Sequence, residues 1–298
     1  MRASAAALVC FLAAALGWSQ QDKLGFQRAG DEFLFDTGLL KGKLRAGGKS
    51  LGLTEVVHVP SGAAIWRSMG LMGHYRVFTA KRRWGDAAWN WASEAQLKPD
   101  KSVEVCWPAS AERPFELRAV YRWHSAGSVD VETRVSAKED LVDFESFLAS
   151  YFSEHFKECR AYAGQPPNWL AAEPGQGVWQ MFPSDARAVG LIQDGRWSFP
   201  PSPVNWAIRP PLAAPIGVRR ASSLGLTAVI MAPAEDCFAV ATPHQTEGHY
   251  SLYLSLFGRT IRAGESARAR ARLVIGAALE EAEILRLYRD YLKELSGR

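Results

Sequence analysis

The stretch FELRAVYRWHSAGSVDVETRV, residues 115–135, decides the fold class. In an extended chain Phe115, Leu117, Ala119, Tyr121 and Trp123 share one face, while Glu116, Arg118, Arg122 and His124 share the other. After Ser125-Ala126-Gly127 the alternation resumes, with Val129, Val131, Thr133 and Val135 opposed to Asp130, Glu132 and Arg134. Two runs of period two around a short loop predict a β-hairpin, with Gly127 where a positive φ is wanted.

Working outward, the same reasoning predicts strands over Ser102–Trp107, Gly225–Ala232 and Cys237–Thr242, and over Val189–Phe199 folded about an Asp194-Gly195 turn. Near the C-terminus Ala267, Ala269, Ala271 and Leu273 face inward, and Arg268, Arg270 and Arg272 face outward as solvated charges. One helix is expected, Leu279–Leu295: Ile284, Leu285, Tyr288, Tyr291, Leu292 and Leu295 recur at helical spacing, and acidic residues precede basic ones as the helix dipole prefers. Residues 141–156 are ambiguous. Their apolar positions fit a helical period, but their aromatic richness favours a strand, which the β context makes the better reading.

The chain has 298 residues and 48% hydrophobic content, enough to bury a core without a metal or disulfide staple. No repeat or low-complexity linker divides it, so 20–298 reads as one domain. Residues 1–19 have the layout of a secretory signal peptide: Arg2, then an apolar run from Ala5 to Leu16, then small residues near Gly17 and Ser19. The run is short for a membrane span, and its continuation past Cys10 argues against a lipoprotein site. A secreted or periplasmic protein with no integral membrane segment after cleavage is expected. Loss of Arg2 lowers the net charge from +4 to about +3, too little to argue for nucleic acid, and the triplet Lys81-Arg82-Arg83 reads as a solvated strand end. Cys106, Cys159 and Cys237 allow at most one disulfide and have no zinc spacing.

The polar candidates gather around HQTEGHYSLYLSLFGR, residues 244–259. His244-x-x-Glu247-x-His249 has a superficial likeness to zinc-protease motifs, but those need a helix, and Pro243, Gly248 and the alternation that follows put it on a loop and strand. As a strand, Glu247, His249, Ser251, Tyr253 and Ser255 share one face, and Tyr250, Leu252, Leu254 and Leu256 the other. A carboxylate beside an imidazole suits proton transfer; a strand with one wet face is the plainer alternative. A looser set contains His74 and Arg76, Glu145 and His155, Trp179, and Asp194, Arg196 and Trp197. His58 and His124 read as ordinary strand residues. With 11 Trp and 8 Tyr, many beside charged residues, the composition suits pyranose rings, whose C–H faces stack on aromatics while their hydroxyls bond charged groups.

With YRVF (75–78), FESFLASYF (144–152), DGRW (194–197) and HQTEGHYSLYLSLFGR, the chain resembles the galactose-mutarotase-like β-supersandwich superfamily as a divergent member, from about Phe33 to Ile275. The resemblance implies an all-β fold, a large antiparallel β-supersandwich with a C-terminal α-helix, and a sugar held on a broad β-face. It implies a glutamate late in the chain as general base, a position Glu247 occupies, and a histidine as general acid, from His74, His155 or His249. The L-H-G-G and N-H-x-Y-F stretches of true aldose epimerases are absent, and S-E-H-F (153–156) is a faint echo.

The resulting expectation is a carbohydrate-binding protein doing acid/base chemistry on a sugar, epimerase-like or lyase/hydrolase-like, with Glu247 as base, His249 or His74 as acid, and Arg76, Glu145, His155, Trp179, Asp194, Arg196, Trp197, His244 and Tyr253 around the substrate. No cofactor or catalytic metal is called for; a structural metal on His74, His155, His244 or Glu247 ranks last. The alternative is a non-catalytic glycan-binding module.

Overall fold

A computed structural model describes residues 24–45, 49–67, 69–80, 82–244 and 248–297. The segment 1–19, Lys81 and Glu247 lie outside the described residues.

The described residues form three sheets. A nine-stranded sheet runs, edge to edge, through Asn168–Ala171, Glu158–Ala163, Leu212–Ala221, Leu226–Met231, Ser266–Ala277, Ser128–Ala137, Phe115–Ser125, Val103–Trp107 and Glu94–Leu97. A seven-stranded sheet runs through Ala207–Ile208, Trp179–Pro183, Cys237–Pro243, Tyr250–Ile261, Leu141–Phe152, Gly73–Thr79 and Arg82–Arg83, antiparallel except for the short parallel pair at its first edge. Five N-terminal strands between Gln27 and Ala64 form the third. The main core lies between the two large sheets, joining Val105, Trp107, Leu117 and Tyr121 of one to Val77, Leu148, Leu252 and Leu254 of the other.

The deciding hairpin forms as read, Leu117 pairing with Val135 and Trp123 with Val129, but its turn is tighter. Ser125 pairs with Ser128, and Gly127 does not adopt a positive φ. Glycine is needed there for closeness, because a Cβ would sit 2.3 Å from the Ile275 carbonyl oxygen. The segment 141–152 is a strand, and its helix-like spacing has a physical cause. As an inner strand it is buried on both faces: Phe144, Leu148 and Phe152 enter the main core, while Phe147, Ala149 and Tyr151 enter a second apolar cluster on the sheet's other face.

Two further expectations are corrected. Val189–Phe199 is not a folded strand. Ala186–Ile192 is an α-helix whose N-cap Asp185 accepts a hydrogen bond from the Ala188 N–H, with Ala188, Leu191 and Ile192 on its buried stripe. Gly195, at φ +93°, then opens a 3₁₀ turn over Arg196–Ser198. The arginines of Ser266–Ala277 are also more than solvated. Arg272 is buried, pairs with Asp130 at 2.6 Å and Glu294 at 2.8 Å and stacks on Tyr291, while Arg270 pairs with Asp236 at 2.6 Å. Arg272 thus ties the C-terminal helix, Glu281–Ser296, to the nine-stranded sheet, where Ile284, Tyr288 and Tyr291 pack on Val218, Val229 and Met231. Cys106, Cys159 and Cys237 are all free. Among the described residues no helix is long and apolar enough to cross a membrane.

Candidate functional site

On the seven-stranded sheet's face away from the main core, a cavity of about 220 Å³ opens beneath the Pro-rich segment 199–206. Its sheet-borne walls follow from strand parity. Phe147 and Tyr151 come from Leu141–Phe152, Tyr253 from Tyr250–Ile261, and Trp179 from Trp179–Pro183, each one step out of phase with the core residues of its strand.

Gly73–Thr79 contributes two consecutive residues, which a regular strand cannot do. Val77 pairs with Ser146 and His74 with Leu148, so Tyr75 and Arg76 together oppose Phe147. This β-bulge turns both side chains to the cavity and leaves His74 and Val77 facing the core. Trp197 and Trp206 arrive from the loops above.

The walls are aromatic and mutually braced. Phe147 and Tyr253 stack at 4.6 Å, Trp197 and Trp206 meet edge to face at 5.2 Å, and Trp179 stands edge-on to Trp206 at 5.8 Å. Tyr75 lies parallel to Trp89 at 4.3 Å. A neighbouring cleft of about 310 Å³ shares Tyr75, Tyr151 and His249 and extends to Trp89 and Arg67. Arg67 donates to the Gly248 carbonyl at 2.6 Å and so fixes the backbone next to His249.

The polar groups of the cavity are mainly donors. Arg76 donates to the Ser202 carbonyl at 2.7 Å and lies over the Trp197 and Tyr75 rings at 5.2 and 5.0 Å. Its Nε and Nη1, and the indole Nε1 of Trp197 and of Trp206, have no protein partner. Burial pushes the phenols of Tyr151 and Tyr253 well above and above their usual pKa, so both stay neutral. No aspartate or glutamate lines the cavity or the cleft among the described residues.

The sequence-derived candidates therefore divide. Arg76, Trp179, Trp197, His249 and Tyr253 line the cavity together, His249 standing at the border with the cleft, 5.4 Å from the Trp179 ring. Glu247 is outside the described residues.

His74 must be withdrawn as an acid. It is fully buried between the sheets, its Nδ1 2.8 Å from the Ser146 hydroxyl and its Nε2 3.2 Å from that of Thr133, and burial lowers its pKa to about 3. Glu145 and Arg196 are also corrected: both are 0% exposed and outside the lining, so neither touches a ligand in the cavity. Arg196 Nη1 pairs with Glu145 at 3.1 Å and Nη2 with Asp194 at 2.8 Å. Burial raises the Glu145 pKa and Arg196 opposes the rise. With Asp194 at its outer edge, this ion-pair cluster anchors the turn that presents Trp197, whose ring packs 4.8 Å from Phe78 and from Phe147. Asp194 holds Arg196 rather than lining the cavity. His155 lies on an exposed turn after Phe152, and His244 on the strand's exit; neither lines the cavity. Among the described residues no three His, Cys, Asp or Glu side chains cluster as a metal site would require.

The sequence pattern does not single out Tyr75, Phe147, Tyr151 or Trp206 as site residues. The first three become visible once 141–152 is a two-sided strand and 75–76 a bulge; Trp206, in PPSPVNW, carries no periodic signal.

No protein-family model matches the sequence, and no curated protein matches it either. Solved structures do. The Slr1438 protein of Synechocystis sp. PCC 6803 is similar with a TM-score of 0.53 at 11% identity, over 82% of this chain and 94% of that one. A galactose mutarotase-like protein from Lactobacillus casei gives 0.47 at 9% identity, over 82% and 100%. The α-N-acetylgalactosaminidase NagBb from Bifidobacterium bifidum gives 0.49 at 12% identity, over 90% of this chain and 39% of that enzyme. Identities this low establish likeness of fold alone: the arrangement of sheets recurs in the Slr1438 protein.

Proposed function

We propose that this is an exported carbohydrate-binding protein, a single unit over 20–298 behind a cleaved signal at 1–19, that holds a pyranose in the aromatic cavity. One observation carries the reading: three residues that line the cavity, Arg76, Trp197 and Trp206, bear four buried donor nitrogens without protein partners, beside the rings of Phe147, Tyr151, Trp179 and Tyr253. Ring faces suit the C–H faces of a sugar, and buried donors without partners suit its oxygens. At about 220 Å³ the cavity is smaller than the roughly 300–1,000 Å³ of drug-sized sites, which favours one sugar ring, with the adjoining cleft available to a second.

Isothermal titration against a monosaccharide panel tests this reading. Trp206→Ala should lower affinity tenfold or more with the fold intact; an unchanged affinity removes the cavity from the account.

The second reading, catalysis, is favoured by the place of His249, an imidazole shared by cavity and cleft. His249 would be the general acid and Glu247 the base, in an epimerase-like or lyase/hydrolase-like proton transfer. Glu247→Gln and His249→Gln should then abolish turnover while leaving binding within a few-fold of the parent. Equal loss of both leaves a non-catalytic glycan-binding module.

A further inference from the structure

The buried arginines of this protein are treated in two ways. Arg196 and Arg272 are neutralised by carboxylates. Arg219, with 0% exposure and no carboxylate partner among the described residues, is instead saturated: its three nitrogens donate to the Ser251, Phe156, Lys157 and Pro243 carbonyls and to the Thr242 hydroxyl. These are the two ways a fold accommodates a buried guanidinium, since an unpaired buried charge is costly.

Arg76 meets neither condition. It is 3% exposed, and no carboxylate among the described residues lies within ion-pair distance of it. Only Nη2 is used; Nε and Nη1 have no partner. A second cation stands close by. Arg83, opposite Phe78 in the next strand, donates to the Phe199, Pro201 and Asp86 carbonyls, keeps an unpartnered Nε, and has its pKa lowered first by burial and then by the charge of Arg76. One loop, 199–202, thus holds two like charges near each other with backbone oxygens, which fix position without cancelling charge.

We infer that the cavity is built for a pyranose carrying a compact oxyanion, a carboxylate or a sulfate, which Arg76 binds with support from Arg83. The inference rests on the carbohydrate reading above and narrows it to acidic sugars. The unpartnered Trp197 and Trp206 indoles supply neutral donors beside the charge, and the absence of aspartate and glutamate from the described lining removes the groups that would repel an anion. The alternative is that Arg76 is only a spacer stacked between Tyr75 and Trp197, and it predicts no discrimination by charge.

The test is calorimetric titration of the full chain with D-glucose, D-glucuronate and D-glucose 6-sulfate, and with the galacto counterparts of the first two, at low and moderate salt. At least one acidic sugar should bind tenfold or more tighter than its neutral counterpart. Which of carboxylate and sulfate does so identifies the source of the oxyanion. Arg76→Met should bring the acidic-to-neutral affinity ratio to near one, Arg76→Lys should retain part of it, and Arg83→Met should reduce it about threefold, circular dichroism confirming the fold of each. Equal affinity for neutral and acidic sugars in the parent overturns this inference and leaves the carbohydrate reading standing. Binding of none of them overturns both.

Discussion

His74 offers a sharp test of the packing between the two sheets, because its burial makes stability depend on pH in a calculable way. Its pKa falls from 6.5 to about 3 on folding, through desolvation. The unfolded chain therefore takes up a proton first as pH falls. The contribution is intact above about pH 6.5, declines below it, and levels off near pH 3 after a loss of about 4–5 kcal/mol. By pH 4 about 3 kcal/mol should be gone, a large part of the roughly 5–15 kcal/mol that stabilises a typical domain. Glu145 works in the opposite direction, since burial raises its pKa and its protonation favours the folded state at low pH, so the parent's raw pH curve is a sum of terms. His74→Gln separates them. Glutamine keeps a hydrogen-bonding side chain toward Ser146 and Thr133 but cannot titrate. The variant should be weaker by about 1–3 kcal/mol at pH 7, where a hydrogen bond and packing are compromised. That deficit should vanish or reverse by pH 4. Urea unfolding followed by tryptophan fluorescence at pH 7, 6, 5 and 4 measures both. Parallel pH profiles for parent and variant would show that His74 is not held neutral by burial.

Arg76→Met should leave thermal stability unchanged or raised in the absence of sugar, since it removes an uncompensated buried charge, whereas Arg219→Met should cost about 3 kcal/mol or more by orphaning the carbonyls it joins; the two melting temperatures read this directly. Arg196→Met should destabilise by about 3–5 kcal/mol at pH 7 because Glu145 is left buried without its cation, and Glu145→Gln combined with it should recover part of the loss in a double-mutant cycle. Arg272→Met should loosen the C-terminal helix, seen as faster amide exchange over Glu281–Ser296 with the sheet amides unaffected.

The fold was legible wherever one face of a strand is wet. The 115–135 hairpin, the Ala/Arg alternation of 266–277 and the C-terminal helix all present a charged face, and their periodicity records it. It blurred at 141–152, where apolar and aromatic residues serve two cores at once, and failed at 186–199, where a capped helix and a 3₁₀ turn replace the hairpin suggested by Asp194-Gly195. In the site, Tyr253 was found by parity, since its strand alternates cleanly. Strict parity cannot find Tyr75 and Arg76 together, because a bulge breaks the period between them. Glu145 lies in an aromatic stretch and Arg196 beside Trp197, but the sequence does not reveal that both lie behind the aromatic wall rather than in front of it.

If the aromatic cavity is where sugar binds, a sugar must be seen in it. The decisive measurement is a crystal structure of the full chain grown with D-glucuronate. The ring should lie against Trp197, Trp206 and Tyr253 with its carboxylate on Arg76. A sugar ordered on any other surface, with this cavity holding only water, would show that the cavity is not the binding site.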